Sequence, residues 1–584
     1  MATAVSICFF VILLLGGISL YIFLEALSVE NFRTPDPLNF SSTTTEDRCA
    51  PHPNVSSFNN QIIESQSVLF PEWIIFNIIS SDGASQPADD CGGGDDGDGS
   101  SSAYKCVFQN NATSPAVYAG TFATSGRRSS FKCTMPSSVR RLRNLLTPAL
   151  TKSELNASDL SLNWTSRPHL KRWNWLVYDS LYTADDVIVF AKNVNRPGHV
   201  RNSSTLRCVF TDVESSNHKL KIKTPVTSSD QEVFRCPHPN HHRLLLEGSR
   251  ISLTLELLDE GRQTTLIPSV ASYVNTFKTL PFQSSSSSSS PSTPSATLCA
   301  CAMVNNVGKF LREWVMYHSA IGVEKFVLYD NDSDERLDDV VTELVESGYN
   351  VETVFWPWPK SQEAGFSHSV VSSKSACKWM IFVDVDEFVF SPKWTDSAKP
   401  SSDMLHTLLP KLNQTGLKQV GQVMIQCRDF GPSNQTSHPL TGVTQGYTCR
   451  KKFEERHKSI VLLAAVDESL QNSVHHFKIR SKVYTTEKVG VWKAVVNHYK
   501  YQAWSEFKTK FKRRVSTYVV DWSQNENLSS KDRTPGLGVE AVEPQGWATM
   551  FCEVVDTKLQ LLTRKWFGRR MENNQSSVKM VWER

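Results

Sequence analysis

The chain has 584 residues, 40% of them hydrophobic and 21% charged. That is long enough for several domains, too polar for a polytopic membrane protein and too apolar to be disordered throughout. Its 62 Lys and Arg against 59 Asp and Glu leave a net charge of +3, which gives no bulk attraction for nucleic acid, so any electrostatic recognition is local.

The first informative segment is Ala4 to Leu24, which holds no charged residue and matches the roughly 20 apolar residues that cross a bilayer as a helix. It lacks the basic leader, short apolar core and small-residue cleavage site of a signal peptide. Residues 1–3 are therefore expected as a cytosolic tail and 4–24 as an uncleaved single-pass membrane anchor. The start amine alone precedes it and Glu25, Glu30, Arg33 and Asp36 follow, so Lys/Arg bias settles little about orientation. Two other features place the remainder in the secretory lumen. Eleven Asn-x-Ser/Thr sequons occur, Asn111, Asn163, Asn202 and Asn331 among them, and such sites matter only there. Of 13 cysteines, one (Cys8) lies in the apolar segment, which leaves an even 12 outside it, as suits an oxidising compartment.

Residues 25–102 are rich in Ser, Thr, Pro, Asp and Gly and end in the run Asp89 to Ser102, a composition that buries too little apolar area to fold. They read as a stem, interrupted by an apolar patch, Val68 to Ile79, that packs on the next domain or starts it. Residues 103–283 carry strand-like runs such as Asp186 to Ala191 and Ile251 to Leu258 between Pro, Asn, Ser and Gly clusters, the pattern of a β-sandwich-like domain. Within it Lys105-Cys106-Val107-Phe108 with Phe131-Lys132-Cys133 is echoed by Arg207-Cys208-Val209-Phe210 with Phe234-Arg235-Cys236. The echo predicts two disulfide hairpins, Cys106 to Cys133 and Cys208 to Cys236. His238, His241 and His242 lack a second cysteine pair at zinc spacing and read as a solvated loop. Ser284 to Ser290 with Pro291 and Pro294 mark a linker over 284–296.

Over 297–584 the pattern changes to alternation of strand and helix. Strands are expected at Thr297 to Val304, Lys325 to Tyr329, Asn350 to Phe355 and Trp379 to Val383, with helices at Gly308 to Ala320, Leu337 to Ser347 and Glu363 to Cys377. Such alternation implies right-handed βαβ units, a mostly parallel sheet and ligands at the strand carboxyl ends. At one such end stands Trp379-Met-Ile-Phe-Val-Asp384-Val-Asp386-Glu387-Phe388. In extended backbone Asp384 and Asp386 point the same way and offer oxygens to one hard cation, Mn2+ or Mg2+; a polar turn after a core strand is the bland alternative, and Glu387 reads as an orienting group. A second cluster, Tyr329-Asp330-Asn331-Asp332-Ser333-Asp334, also follows a strand and either holds parts of a nucleotide or makes an Asx turn capping the next helix. Trp314 aligns with Phe310 on an apolar helix face, while Glu313 and His318 read as structural hydrogen-bonders.

The set Met303-Val-Asn-Asn306, Glu313-Trp314 with Tyr317-His318, Tyr329-Asp-Asn-Asp-Ser333, Phe382-Val-Asp-Val-Asp-Glu-Phe388, Lys458-Ser-Ile-Val461, Val474-His-His476 and Asn497-His-Tyr499 resembles glycosyltransferase family 92. Plant members of that family include β-1,4-galactan synthases. The resemblance covers about Thr297 to Trp566 and is most specific at the D-x-D-E-F element. It implies an α/β chain with a doubly wound GT-A type catalytic domain, a UDP-sugar donor, a glycan acceptor, Mn2+ or Mg2+ and inversion at the sugar carbon; taken with segment 4–24 and the sequons, the expectation is a Golgi membrane protein of type II topology. More faintly, the β-rich segment resembles the carbohydrate-binding module of the galactan synthases. Asn306 departs from the acid found in many members.

Carried over by position, Asp384 and Asp386 match the metal motif, and Asp330, Asn331, Ser333 and Asp334 match the nucleotide loop. The resemblance also implies a late histidine ligand, for which His475, His476 and His498 are candidates, His498 first and His475 next. Lys458, beside Arg450, Lys451 and Lys452, either holds the leaving diphosphate or belongs to a solvated face. An inverting transfer needs a carboxylate base; Asp429 is ranked ahead of Asp467 and Glu468. Cys427 and Cys449 flank this segment and are either bridged or two buried thiols. Trp504, Phe507, Phe511, Val515 and Tyr518 recur at helical spacing, and the opposite basic face, Lys508 to Arg514, is assigned no catalytic role.

Overall fold

The computed structural model describes residues 63–80, 103–274, 294–510 and 543–583, apart from 64, 123–127, 156–161, 197–198, 213–219, 241–248, 259–262, 336, 412–417, 474 and 572–573. The expected tail, anchor, most of the stem and linker, and the late helix beyond residue 510 lie outside the described residues. All the described residues belong to one compact unit.

The N-terminal half is all β, as its alternating sequence implies, but it begins inside the expected stem. The apolar patch forms strands Gln66–Leu69 and Ile74–Ser80, which complete a seven-stranded sheet with Tyr104–Val107, Thr113–Phe122, Arg128–Thr134, Ala149–Lys152 and Lys171–Arg172. Alternate side chains face opposite sides of this sheet: Phe76 and Ile78 enter one core, Ile75 the other. Beyond it, a five-stranded and a four-stranded sheet enclose a core that includes Val189, Phe210, Phe234 and Leu253. Both expected bridges form, Cys106–Cys133 within the first sheet and Cys208–Cys236 across the two smaller ones.

The C-terminal half follows the expected alternation closely: β1 (Ala296–Val304), α1 (Gly308–Ala320), β2 (Lys325–Asp330), α2 (Leu337–Glu346), β3 (Val351–Phe355), α3 (Gln362–Ser372) and β4 (Cys377–Phe382). The strands pair in parallel in the order β3-β2-β1-β4, so β1, β2 and β4 end at the same sheet edge. The sheet then turns mixed through β5 (Glu387–Phe390), β6 (Gln419–Asp429), β7 (His457–Leu462), β8 (Tyr484–Lys488) and β9 (Val495–His498). Its order continues β4-β7-β6-β9-β5, and β8 also pairs with β6. Helix α1 is tied beneath β5 where Trp314 Nε1 and Tyr317 Oη donate to the carbonyls of Glu387 and Val389 at 3.2 and 2.7 Å. Glu313 accepts the Val443 and Thr444 amides, and His318 Nδ1 lies 2.9 Å from the Trp314 carbonyl, so both are structural as expected.

One expectation fails here. Cys427 is a buried free thiol in the packed middle of the sheet, and Cys449 bridges to Cys552, because the two-residue strand Cys449–Arg450 pairs with Val554–Val555. A further bridge, Cys299–Cys377, joins the neighbouring strands β1 and β4. The halves on either side of the expected linker are packed on each other. Trp356 and Trp358, after β3, form an aromatic wall against the β-rich half: the ring of Phe122 stacks 5.6 Å from Trp358, Tyr178 lies 5.0 Å from Trp358, and Phe190 meets Trp356 edge-on at 5.5 Å. One apolar core therefore runs through both halves. Buried aromatic pairs of this kind are a large apolar contribution to holding elements together.

Candidate active site

The D-x-D-E element is a tight turn between β4 and β5. The Glu387 amide donates to the Asp384 carbonyl at 3.0 Å, and the Asp384 amide donates to Glu387 Oε2 at 2.9 Å. The turn replaces the extended backbone expected from the sequence, so Asp384 and Asp386 acquire separate partners. Asp384, 29% exposed at its side chain, meets Lys458 Nζ at 2.9 Å and His475 Nε2 at 3.5 Å; Gln362, at the start of α3, donates to its other oxygen at 3.4 Å. Asp386 is buried; His498 Nε2 stands 3.7 Å away and the Lys510 ammonium rests on it.

Strand register assembles the rest. Asp429 at the end of β6 lies beside His498 at the end of β9, which on its other side lies beside Glu387 at the start of β5. Residues abreast in neighbouring strands share a face. Accordingly His498 Nδ1 lies 3.1 Å from Asp429 Oδ1, and His498 Nε2 lies 3.6 Å from Glu387 Oε1. Lys458 bridges back to Glu387 at 2.8 Å, and Lys500 pairs with Asp429 at 3.0 Å.

Electrostatics follow from these contacts. Burial alone would raise the Asp384 carboxyl, but the Lys458 ammonium and the neighbouring His475 outweigh it and hold it far below the usual carboxylate range. Asp429 is likewise held low, the His498 hydrogen bond and Lys500 outweighing its burial. Lys458 goes up, because Asp384 and Glu387 outweigh its desolvation. Burial, reinforced by Lys458, pushes His475 down to about 3, so its ring is neutral near pH 7. Among the described residues no three Asp, Glu, His or Cys side chains converge as a ready-made metal cage. The donor types nevertheless suit a divalent ion: two acidic side chains, a neutral imidazole at His475, a second imidazole at His498, and a buried Glu387 Oε1 with no hydrogen-bond partner.

The loop after β2 is engaged differently. Asp330 accepts the Ser333 amide and hydroxyl at 3.0 and 2.6 Å, an Asx turn. The Asn331 amide donates to the Trp356 and Trp358 carbonyls at 2.7 and 3.0 Å. Asp332 and Asp334 pair with Lys132 of the β-rich half at 2.9 and 3.4 Å. Asn306, where an acid was expected, accepts the amides of Asp334 and Glu335 at 2.7 and 3.1 Å; a carbonyl oxygen suffices for that task. The loop stands at the same sheet edge as the turn, but Asp330, Asn331, Ser333 and Asp334 make none of the contacts just described around Asp384 and Asp386.

A family model described as glycosyltransferase family 92 matches residues 295–531. A glycosyltransferase family 92 protein of Arabidopsis thaliana is 41% identical over 413 residues, covering 70% of this chain and 69% of the relative. The chain belongs to glycosyltransferase family 92. A second member, from Oryza sativa subsp. japonica, is 39% identical over 409 residues, covering 68% of this chain and 67% of the relative. Among solved structures, a mannosyltransferase from Pyrobaculum calidifontis in complex with GDP-Man and Mn2+ has a TM-score of 0.26 at 9% identity, covering 39% of this chain and 63% of that one; likeness of that size carries no argument about the site.

Within this family 92 glycosyltransferase, two site residues, Asp429 and Lys458, stand differently from expectation. Asp429, ranked first as base, is 2% exposed and engaged by the His498 ring and the Lys500 ammonium. His475, not its neighbour His476, faces the turn, because His475 takes a left-handed backbone (φ 62°) while His476 lies against Gln422 and Ser459. Lys458, read from sequence as a diphosphate contact or a solvated residue, is buried between Asp384 and Glu387. Lys500 and Lys510 were missed as site residues: a lysine after a strand or on a basic helix face carries no signal of the carboxylate it will meet.

Proposed function

We propose that this chain is a Golgi glycosyltransferase of single-pass type II topology that moves a hexose, galactose from UDP-galactose, to a glycan acceptor such as pectic β-1,4-galactan. Transfer proceeds with inversion and uses Mn2+ or Mg2+ at the Asp384/Asp386 turn. The observation that carries this reading is that each acid of the turn has its own imidazole, His475 on Asp384 and His498 on Asp386, in a chain of a glycosyltransferase family. The donor sugar and acceptor rest on the motif resemblance to galactan synthases, and the topology on segment 4–24 and the sequons.

Asp384, Asp386, His475 and His498 would hold the ion, which when bound neutralises the donor diphosphate and its departing charge. Asp429 fixes the His498 ring by accepting from Nδ1 and leaves Nε2 facing the turn. Lys458 keeps Asp384 and Glu387 charge-balanced, and Lys510 supplies a second cation at Asp386, beside the place where charge develops on the leaving group. Asp384, Asp386, Glu387 and Asp429 each have a cation partner, so the acceptor proton passes to a base other than these four.

The test is release of UDP from UDP-galactose with Mn2+, with and without β-1,4-galactan oligosaccharides, by the luminal part of the chain. Acceptor-stimulated release is expected, and the joint replacement Asp384→Asn, Asp386→Asn should reduce it by about 10³-fold or more with the fold kept. Undiminished turnover in that variant would sink the metal assignment.

A further inference from the structure

The β-rich half touches the two loops that flank the D-x-D turn, and it does so with side chains aimed at those loops rather than through apolar packing alone. On one side, Gln231 sits at the tip of the hairpin Ser228–Asp230/Val233–Cys236 in a left-handed backbone conformation (φ 47°), with its carbonyl held by the Asn195 amide at 3.0 Å. Its side chain forms a two-bond pair with the backbone of Asn472: Nε2 donates to the Asn472 carbonyl at 2.6 Å, and Oε1 accepts the Asn472 amide at 3.0 Å. Asn472 is buried and donates in turn to the Glu363 carbonyl and Ser367 Oγ of α3 at 2.9 and 3.0 Å. Three residues on, the chain presents His475 to Asp384, and α3 presents Gln362 to the same carboxylate. On the other side, Lys132 on strand Arg128–Thr134 pairs with Asp332 and Asp334 of the loop after β2, where Asp332 also holds a left-handed conformation (φ 64°). Non-glycine residues kept in that region persist where surrounding contacts hold them there.

We propose that the β-rich half is a positioning element of the transfer site: Gln231 fixes the loop that carries His475, and Lys132 fixes the loop after β2, so that donor binding depends on residues outside the catalytic half. The inference rests on the donor-site reading above and extends it. A carbohydrate module joined by a flexible linker would leave these loops to hold themselves. Here their backbone and carboxylates take partners that only the docked half supplies.

The experiment uses the full chain and measures UDP binding with Mn2+ by calorimetry, KM and kcat for the nucleotide sugar, and Tm. Gln231→Ala and Lys132→Met are each expected to weaken UDP binding and raise the donor KM about tenfold, with kcat within about threefold of wild type, because a loop displaced by about an ångström loses positioning rather than chemistry. Lys132→Arg restores wild-type values, and Gln231→Glu, which keeps the acceptor and loses the donor, falls between. Leu257→Ala opens the core between the two smaller sheets, away from both loops; it should lower Tm and leave KM unchanged. Wild-type affinity and KM in both loop variants would overturn the inference while leaving the transferase reading intact. So would an equal rise in KM from Leu257→Ala, since the effect would then be general loosening. A wild-type protein that neither binds UDP nor releases it from any donor would overturn both.

Discussion

Asp429 lies abreast of His498 and also meets Lys500, and a buried carboxylate held by an imidazole hydrogen bond and an ammonium is a poor proton acceptor and a good anchor. Asp429→Asn is accordingly expected to weaken Mn2+ binding by about 10–100-fold, the usual cost of losing a partner behind a metal-bound imidazole. The shape of the kcat profile against pH should not change; loss of its acidic limb, the fall in kcat at low pH as a base takes up a proton, would restore Asp429 as the base. His475, His318 and His368 form a second residue-scale case. Burial pushes them down to about 3, 4 and 4, with Lys458 adding to the effect at His475. The unfolded chain takes up these protons below about pH 6.5 and the folded chain does not, so stability is full above that value and falls as pH drops toward 4. Glu313, pushed up to about 7 by burial, works the other way, contributing below its unfolded value and fading as pH rises through 7. Three imidazoles against one carboxyl predict a net fall in Tm from about pH 7 to about pH 5, checked by thermal melts; a flat or rising profile would mean that these rings protonate without opening the fold.

At the scale of elements, β4, its turn and β5 turn a buried apolar strand into a cluster of acids within four residues, and the loop after β2 turns a sequon into a brace. Because Asn331 spends its amide on two carbonyls and is half-buried, it is expected to carry no glycan, unlike exposed sequons elsewhere. Glycopeptide mass spectrometry of the protein expressed in a secretory host reads this directly, and a glycan at Asn331 would contradict the loop's placement. The bridges are also element-scale. A non-reducing peptide map should show Cys299 joined to Cys377, Cys449 joined to Cys552, and Cys427 as a thiol. Removing the β1–β4 bridge by Cys299→Ser with Cys377→Ser should cost about 2–4 kcal/mol in denaturant unfolding.

For the molecule as a whole, the aromatic wall of Trp356 and Trp358 makes the catalytic half incomplete by itself. Expressed from residue 294 onward it would bare those rings and the face that meets Phe70, Phe122 and Phe190. Such a fragment is expected to aggregate or to melt well below the longer chain, as a light-scattering and melting comparison would reveal. A soluble fragment with unchanged Tm would show that the two halves fold independently.

What the sequence by itself determined is local. Helical and strand periods located β1 to β4 and α1 to α3 to within a few residues, because each period records which face of one element is buried. The D-x-D-E-F element marked the site, because three acids after a buried strand have no packing purpose, and the cysteine echo paired two bridges across short separations. What only the tertiary structure decided is long-range: Asp429 as the anchor of His498, His475 rather than His476 at the turn, Lys458 and Lys510 on its acids, Cys552 as the partner of Cys449, and the docking of Gln231 and Lys132 on the site loops. Those contacts join residues tens to hundreds of positions apart, and no periodicity along one strand or helix carries information about which side chain of another will arrive beside it.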